Sequence, residues 1–110
     1  RSSDKLEGLR RQVAAIAQKL AAVGQEENTI RQRTQEIAGG QARLRENLGR
    51  LSQSHDEARL RSRYVQQLEE QEDELTRLQQ EQAALGGRRV AVAGELRELI
   101  GSIKFEQLYQ

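Results

Sequence analysis

Residues 41–71 read QARLRENLGRLSQSHDEARLRSRYVQQLEEQ, and within them one helical pattern ends and another begins. Apolar residues recur at Leu48 and Leu51 before the break, and at Tyr64, Leu68 and Leu75 after it. A single helix through the segment would carry Leu75 off the apolar stripe. Polar turn formers fill the break, at Ser52, Gln53, Ser54, His55 and Asp56. We therefore expect the tip of a helical hairpin here.

Both predicted helices begin with the spacing of a capping box. Ser54 is followed three residues later by Glu57, and Asp4 is followed by Glu7. With these starts, the sequence predicts helices over residues 4–51 and 56–107 and a turn near residues 52–56.

The composition is typical of a coiled coil. The 110 residues include no Cys, Pro, Met or Trp, 3% are aromatic, and 32% are charged. Such a chain cannot fill a globular core, so we expect one hairpin over residues 1–110, as a piece of a larger protein. The balance of 18 basic against 17 acidic residues argues against general polyanion binding, and no apolar run predicts a membrane span. The compartment is left undetermined.

Two stripes alternate spacings of three and four residues without a slip, which is the heptad pattern. The first consists of Leu6, Leu9, Val13, Ile16, Leu20, Val23, Glu27, Ile30, Thr34, Ile37, Gln41, Leu44, Leu48 and Leu51. The second consists of Arg61, Tyr64, Leu68, Gln71, Leu75, Leu78, Gln82, Leu85, Arg89, Val92, Leu96, Leu99, Ile103 and Glu106. The predicted fold is an all-α, antiparallel coiled-coil hairpin.

An antiparallel register follows from matching the two stripes. Leu44 then faces Leu68, and Gln41 faces Gln71, where paired amides would fix the register. Glu27 and Arg89 fall in neighbouring layers, and the sequence leaves open whether they pair.

The flanks of this register carry opposite charges on one side and small residues on the other. The predicted interhelical ion pairs are Arg33 with Glu81, Glu26 with Arg88, and Lys19 with Glu95. Small residues form a possible association flank for a second copy or a parent domain, at Ala17, Gly24, Gly86, Ala93 and Ile100. Glycines inside helices are interpreted first as bends or close helix approaches, with a hinge as the alternative.

No residue pattern predicts catalysis, a cofactor or a metal. His55 stands without a Cys or a second His. The acidic residues between Glu69 and Glu74 lack the spacing of a calcium loop. The chain is expected not to be an enzyme, because two paired helices offer no water-excluding pocket.

Arginines near the turn suggest an alternative function, contact with nucleic acid or an anionic membrane. They are Arg43, Arg45, Arg50, Arg59, Arg61 and Arg63. Acidic neighbours such as Glu46 and Asp56 make a solvated hairpin end the favoured interpretation.

The segment from Leu99 to Phe105, with Leu108 and Tyr109, is interpreted as the place where the hairpin meets a folded body, or as an interfacial membrane segment. A chain running straight through residues 52–56 and pairing as an antiparallel dimer is a further alternative.

Two segments, QARLRENL at residues 41–48 and RYVQQLEEQED at residues 63–73, resemble the coiled-coil region of bacterial mucoidy-inhibitor-like proteins of unknown function. The resemblance covers about a third of the chain and implies a structural or interaction element of a larger bacterial protein. It carries over no catalytic residue. The expected function is therefore a rigid arm that spaces or docks domains, or that self-associates as a homodimer.

Overall fold

The computed structural model describes residues 2–52 and 54–109, except for the side chain of Ser2. The elements are α1 at Ser2–Arg50, a single 3₁₀ turn at His55–Glu57, and α2 at Ala58–Leu108. The structure confirms the predicted all-α helical hairpin, with its turn between the end of α1 at Arg50 and the 3₁₀ turn at His55–Glu57. Gln53, which belongs to the predicted turn, lies outside the described residues.

Both helix starts differ from the capping boxes that the sequence predicts. α1 begins at Ser2, so Asp4 lies inside its first turn instead of capping it. Ser54 precedes the 3₁₀ turn with an extended backbone, but its side chain makes no capping hydrogen bond. In the predicted capping box Glu57 would accept from the backbone N–H of Ser54. It accepts instead from the N–H of Ser52, two residues earlier.

Burial follows the two predicted stripes closely. All fourteen stripe positions of the first helix are buried or half-buried, whereas most of its other residues are exposed. In the second stripe only Gln82 and Arg89 are exposed. The most buried apolar side chains are Leu6, Val23, Ile30, Ile37 and Leu85. Each helix therefore loses water from one narrow line and stays solvated around the rest of its circumference.

The chain divides into two compact units. Unit 1 combines Arg1–Glu27 with Ala83–Gln110, and unit 2 is Asn28–Gln82. In unit 1, Lys5 pairs with Glu106 at 2.8 Å and Glu27 with Arg89 at 3.3 Å, so the two segments run antiparallel. In unit 2, α1 and α2 also meet antiparallel, through Arg33 with Glu74 and Gln41 with Glu72.

Candidate interaction surfaces

The polar layer of unit 2 is built differently from the predicted pair of amides. Gln41 is 5% exposed, and its Nε2 donates to Oε1 of Glu72 at 2.7 Å. Oε1 of Gln71 is buried and has no hydrogen-bond partner. The predicted Gln41–Gln71 hydrogen bond is thus replaced by one to a carboxylate, because a charged acceptor makes the stronger bond.

The side chain of Gln71 approaches α1 closely at Gly40. A Cβ added at Gly40 would lie 3.3 Å from Nε2 of Gln71, closer than ordinary van der Waals contact. Alanine here would therefore require the Gln71 amide to shift by a few tenths of an ångström, which agrees with the interpretation of helix glycines as places of close approach. Gly24 differs, since an added Cβ there would have no atom within 4 Å.

Arg33 pairs with Glu74 instead of the predicted Glu81. Its Nε and Nη2 donate to the two carboxylate oxygens of Glu74 at 2.8 and 3.1 Å, and Nη1 donates to Glu36 at 3.3 Å. The hydrogen bond from Arg33 lowers the pKa of Glu74 and outweighs partial desolvation, which raises it. The prediction considered partners across the helices and omitted Glu36, whose position on α1 favours an Arg33 conformer that reaches Glu74 as well.

The other two predicted ion pairs are not formed either. Among the described residues, the salt bridges do not include Glu26 with Arg88 or Lys19 with Glu95. These four side chains are exposed, so solvation competes well with pairing. Glu27 and Arg89, which the sequence left open, do pair. The Glu27 side chain is 13% exposed and that of Arg89 is 54% exposed, so the arginine reaches inward from the surface.

The arginines near the turn fall into two groups. Arg45 pairs with Glu72 at 3.7 Å, Arg50 pairs with Glu46 at 3.0 Å, and Arg61 donates to the backbone carbonyls of Ser52 and Ser54. The second group is exposed and makes no side-chain hydrogen bond or ion pair with any described residue. It consists of Arg43, Arg59 and Arg63. Half of the predicted anion-contact set is therefore engaged within the chain.

The predicted association flank lies at the surface of unit 1. Ala17, Gly24 and Ile100 are exposed, and Gly86 and Ala93 are half-buried. The exposed fraction of Ile100 is 40%. The flank is therefore open to a partner, although no contact within the chain requires its glycine at position 24.

Sequence reasoning named Phe105, Leu108 and Tyr109 as part of a segment that meets a folded body or a membrane, and these side chains are 58%, 77% and 74% exposed. It missed Val90 of α2, which is 63% exposed. The rings of Phe105 and Tyr109 lie 4.7 Å apart with their planes tilted by 38°. The signal was present, since Val90 occupies a position that faces away from the stripe and is normally polar in a solvated helix.

Open grooves lie between the paired segments. One in unit 1 is lined by side chains that include Ile16, Lys19, Glu95 and Leu99. Within residues 2–52 and 54–109, no three His, Cys, Asp or Glu side chains group as metal ligands. Over the described residues, neither helix contains an apolar stretch that could span a membrane.

Comparisons of the chain with protein-family models, curated proteins and solved structures found no significant match.

Proposed function

We propose that this chain is a non-catalytic protein-interaction module, a coiled-coil arm that spaces or docks domains or associates with a copy of itself. The observation that carries the proposal is the burial pattern, in which one heptad stripe on each helix is shielded and the remaining surface is free for contacts. The resemblance at residues 41–48 and 63–73 supports the same role, as an element of a larger bacterial protein.

Rigidity is the physical property that an arm needs. α1 is one helix of 49 residues from Ser2 to Arg50, whereas helices of globular proteins average about 10–14 residues. None of its glycines has a positive φ angle. Its stripe is shielded along its whole length, so packing and not propensity holds the helix. A rigid α1 would fix the separation of whatever binds at different points along it.

Double electron–electron resonance tests this rigidity. The chain has no Cys, so spin labels can be attached at Ala14→Cys and Ala42→Cys, both exposed on α1. The width of the distance distribution between the two labels is the readout, and we expect it to be narrow. A label pair within one unit, at Glu7→Cys and Ala21→Cys, both exposed and about 21 Å apart along the helix, gives the width expected without bending. A distribution much broader than this control would contradict the arm.

A second candidate function, contact with nucleic acid or an anionic membrane, rests on Arg43, Arg59 and Arg63, which are exposed and make no hydrogen bond or ion pair with a described residue. Its test is binding to DNA or to vesicles containing phosphatidylserine over a range of salt concentrations. Replacing Arg59 and Arg63 by Gln should abolish a salt-dependent signal. Arg61 is left intact, because it holds the turn. Absence of binding by the unmodified chain would refute this candidate.

A further inference from the structure

The side of α2 turned away from the shielded stripe changes character along its length. Between residues 62 and 80 it is polar, with Ser62, Gln66, Glu69 and Asp73 at exposed positions. In unit 1, the same helical positions alternate in size from Gly87 to Lys104. The small residues are Ala83, Gly87, Gly94 and Gly101, and the large ones are Val90, Arg97, Lys104 and Leu108. We call these eight residues the outer α2 face.

The outer α2 face has its own spacing of alternating three and four residues over about 39 Å of helix, at 1.5 Å per residue. This is the pattern by which one helix packs against another. Its large apolar members are open to solvent, with Val90 63% and Leu108 77% exposed. Phe105, 58% exposed, borders the face. Unit 1 therefore leaves a helix-packing surface uncovered.

The packing of the chain does not account for the glycines of this face. A Cβ added at Gly87 or Gly101 would have no atom within 4 Å, and one at Gly94 would meet only the end of the Arg97 side chain at 3.8 Å. No described glycine has a positive φ angle. Alanine would fit and would favour the helix more, so no contact with the described residues explains these glycines.

We propose that the outer α2 face binds a second copy of this chain, with the two α2 helices antiparallel across a two-fold axis at the level of Glu95 and Leu96. This inference rests on the proposed function as an interaction module and names the partner. In this arrangement every large residue faces a small one. Val90 faces Gly101, Arg97 faces Gly94, Lys104 faces Gly87 and Leu108 faces Ala83.

The flanking positions and charges of such a pair agree with it. Ile100 faces Ala93 on one side, and Phe105 faces Ala84 on the other. Arg97 of each copy comes within reach of Glu98 of the other, which makes two symmetric pairs of opposite charge near the axis. The two Arg97 residues lie in adjacent layers beside the axis, each with Glu98 of the other copy as its counter-charge, and the two Lys104 residues lie at opposite ends of the contact.

A membrane surface is the less suitable occupant of this face. Helices that lie at a membrane surface combine basic residues with aromatic and apolar ones. Phe105, Leu108 and Tyr109 with the nearby basic residues resemble that combination. Gly87, Gly94 and Gly101, however, supply no side chain to insert among lipids, whereas an approaching helix fills recesses of this kind. The regular alternation of large with small also serves helix packing and gives no advantage against fluid lipid.

Sedimentation equilibrium of three variants and the unmodified chain tests the proposal. We expect a reversible monomer–dimer equilibrium that Gly101→Leu weakens by at least tenfold, because leucine occupies the recess that Val90 enters. Gly49→Leu is the matched control, since an added Cβ at Gly49 also meets open space, and it should leave the dimer unchanged. Gly101→Ala should raise the melting temperature of the dilute monomer and still weaken the dimer, which separates association from folding.

Disulfide crosslinking tests the orientation in a chain that has no Cys. Val90→Cys chains mixed with Gly101→Cys chains should form mostly the mixed disulfide on mild oxidation. Predominance of Val90–Val90 or Gly101–Gly101 position crosslinks would indicate a parallel pair and overturn the proposal.

Three further results would also overturn it: a dissociation constant above about 1 mM, equal dimerisation by Gly101→Leu, or flotation of the chain with anionic vesicles that Gly101→Leu strengthens. A strictly monomeric chain with a narrow α1 distance distribution would refute the dimer and leave the arm intact. A broad distribution in a chain that still dimerises would refute the arm.

Discussion

A methyl group added at Gly24 meets different surroundings from one added at Gly40. At Gly24 no atom lies within 4 Å of the new Cβ, whereas at Gly40 it lies 3.3 Å from Nε2 of Gln71. Both glycines sit inside α1 with ordinary helical backbone, so the helix propensity gained on substitution is the same. The difference between the two substitutions therefore reports mainly on the close approach of Gln71.

We expect Gly24→Ala to raise the free energy of unfolding by about 0.5 to 1 kcal/mol. Gly40→Ala should give a smaller gain or a loss, because the Gln71 amide must move away from the new methyl group. Urea denaturation at a concentration where the chain is monomeric measures both. In a chain that carries Gln71→Ala, Gly40→Ala should raise the free energy of unfolding as much as Gly24→Ala does. If the two substitutions gave equal gains while Gln71 was present, the close approach would be contradicted.

Single residues also mark the limit of what the sequence could predict about the polar layer. The burial of Gln41 follows from its place in the stripe and is observed. Its partner does not follow, because a glutamine in a seam can reach acceptors in the facing position or beside it. Glu72, a carboxylate next to Gln71 in the chain, gives the stronger hydrogen bond. Partner choice depends on side-chain conformers, which the spacing of residues does not specify.

At the scale of the elements, the turn depends on side chains from the helix that follows it. Glu57 of the 3₁₀ turn accepts from the Ser52 N–H, and Arg61 of α2 donates to the Ser52 carbonyl, so both backbone groups of Ser52 are satisfied by side chains that follow it in the chain. These bonds link the end of α1 to the first turns of α2. The predicted capping box placed Glu57 in the right segment but could not identify its acceptor role for Ser52.

Arg61→Ala should destabilise the hairpin by about 1 to 2 kcal/mol, because the Ser52 carbonyl loses a charged donor. Thermal unfolding followed by circular dichroism measures the change. Arg63→Ala is the matched control, since Arg63 has no hydrogen bond or ion pair with the described residues. Equal effects of the two substitutions would show that Arg61 contributes only through its charge.

The Arg33–Glu74 contact between α1 and α2 should make stability depend on pH. The hydrogen bond from Arg33 lowers the folded-state pKa of Glu74 below its ordinary value. The stabilisation is therefore present above the unfolded-state pKa, and it is lost as the pH falls through the lower folded-state pKa. We expect the stability difference between the unmodified chain and Glu74→Gln to shrink on acidification over that range. Glu81→Gln should show the same acid-dependent loss of stability as the unmodified chain. If the loss disappeared in Glu81→Gln and not in Glu74→Gln, Arg33 would pair with Glu81, as the sequence predicted.

The elements themselves could be predicted well, and for a physical reason. Alternating spacings of three and four place one line of side chains on each helix, and burial follows that line at Leu6, Ile37 and Leu85 alike. The break in phase at residues 52–56 located the turn. Ion pairs were predicted poorly, because exposed Lys, Arg and Glu side chains choose among several partners and solvent at nearly equal free energy.

For the whole molecule, the hairpin leaves the exact register of the facing apolar residues as a prediction. The sequence aligns Leu44 with Leu68 in unit 2 and Ile16 with Leu96 in unit 1. A slip by one heptad would keep both stripes apolar while changing every facing pair, so burial alone does not distinguish the two arrangements. The polar residues Gln41 and Glu27, each with a partner on α2, are what would oppose such a slip.

Paired cysteines test this register directly. Leu44→Cys with Leu68→Cys, and separately Ile16→Cys with Leu96→Cys, should each form a disulfide within one chain, since facing residues bring their Cα atoms within about 7 Å. Mass spectrometry and non-reducing electrophoresis of dilute oxidised protein identify the products. Leu44→Cys with Leu75→Cys is the control for a slip of one heptad and should stay reduced. If that control formed the faster disulfide, the aligned leucines would be wrong by one heptad. Disulfides found only between chains would mean that the same stripes pair intermolecularly, in the antiparallel dimer of straight helices that the sequence also permits.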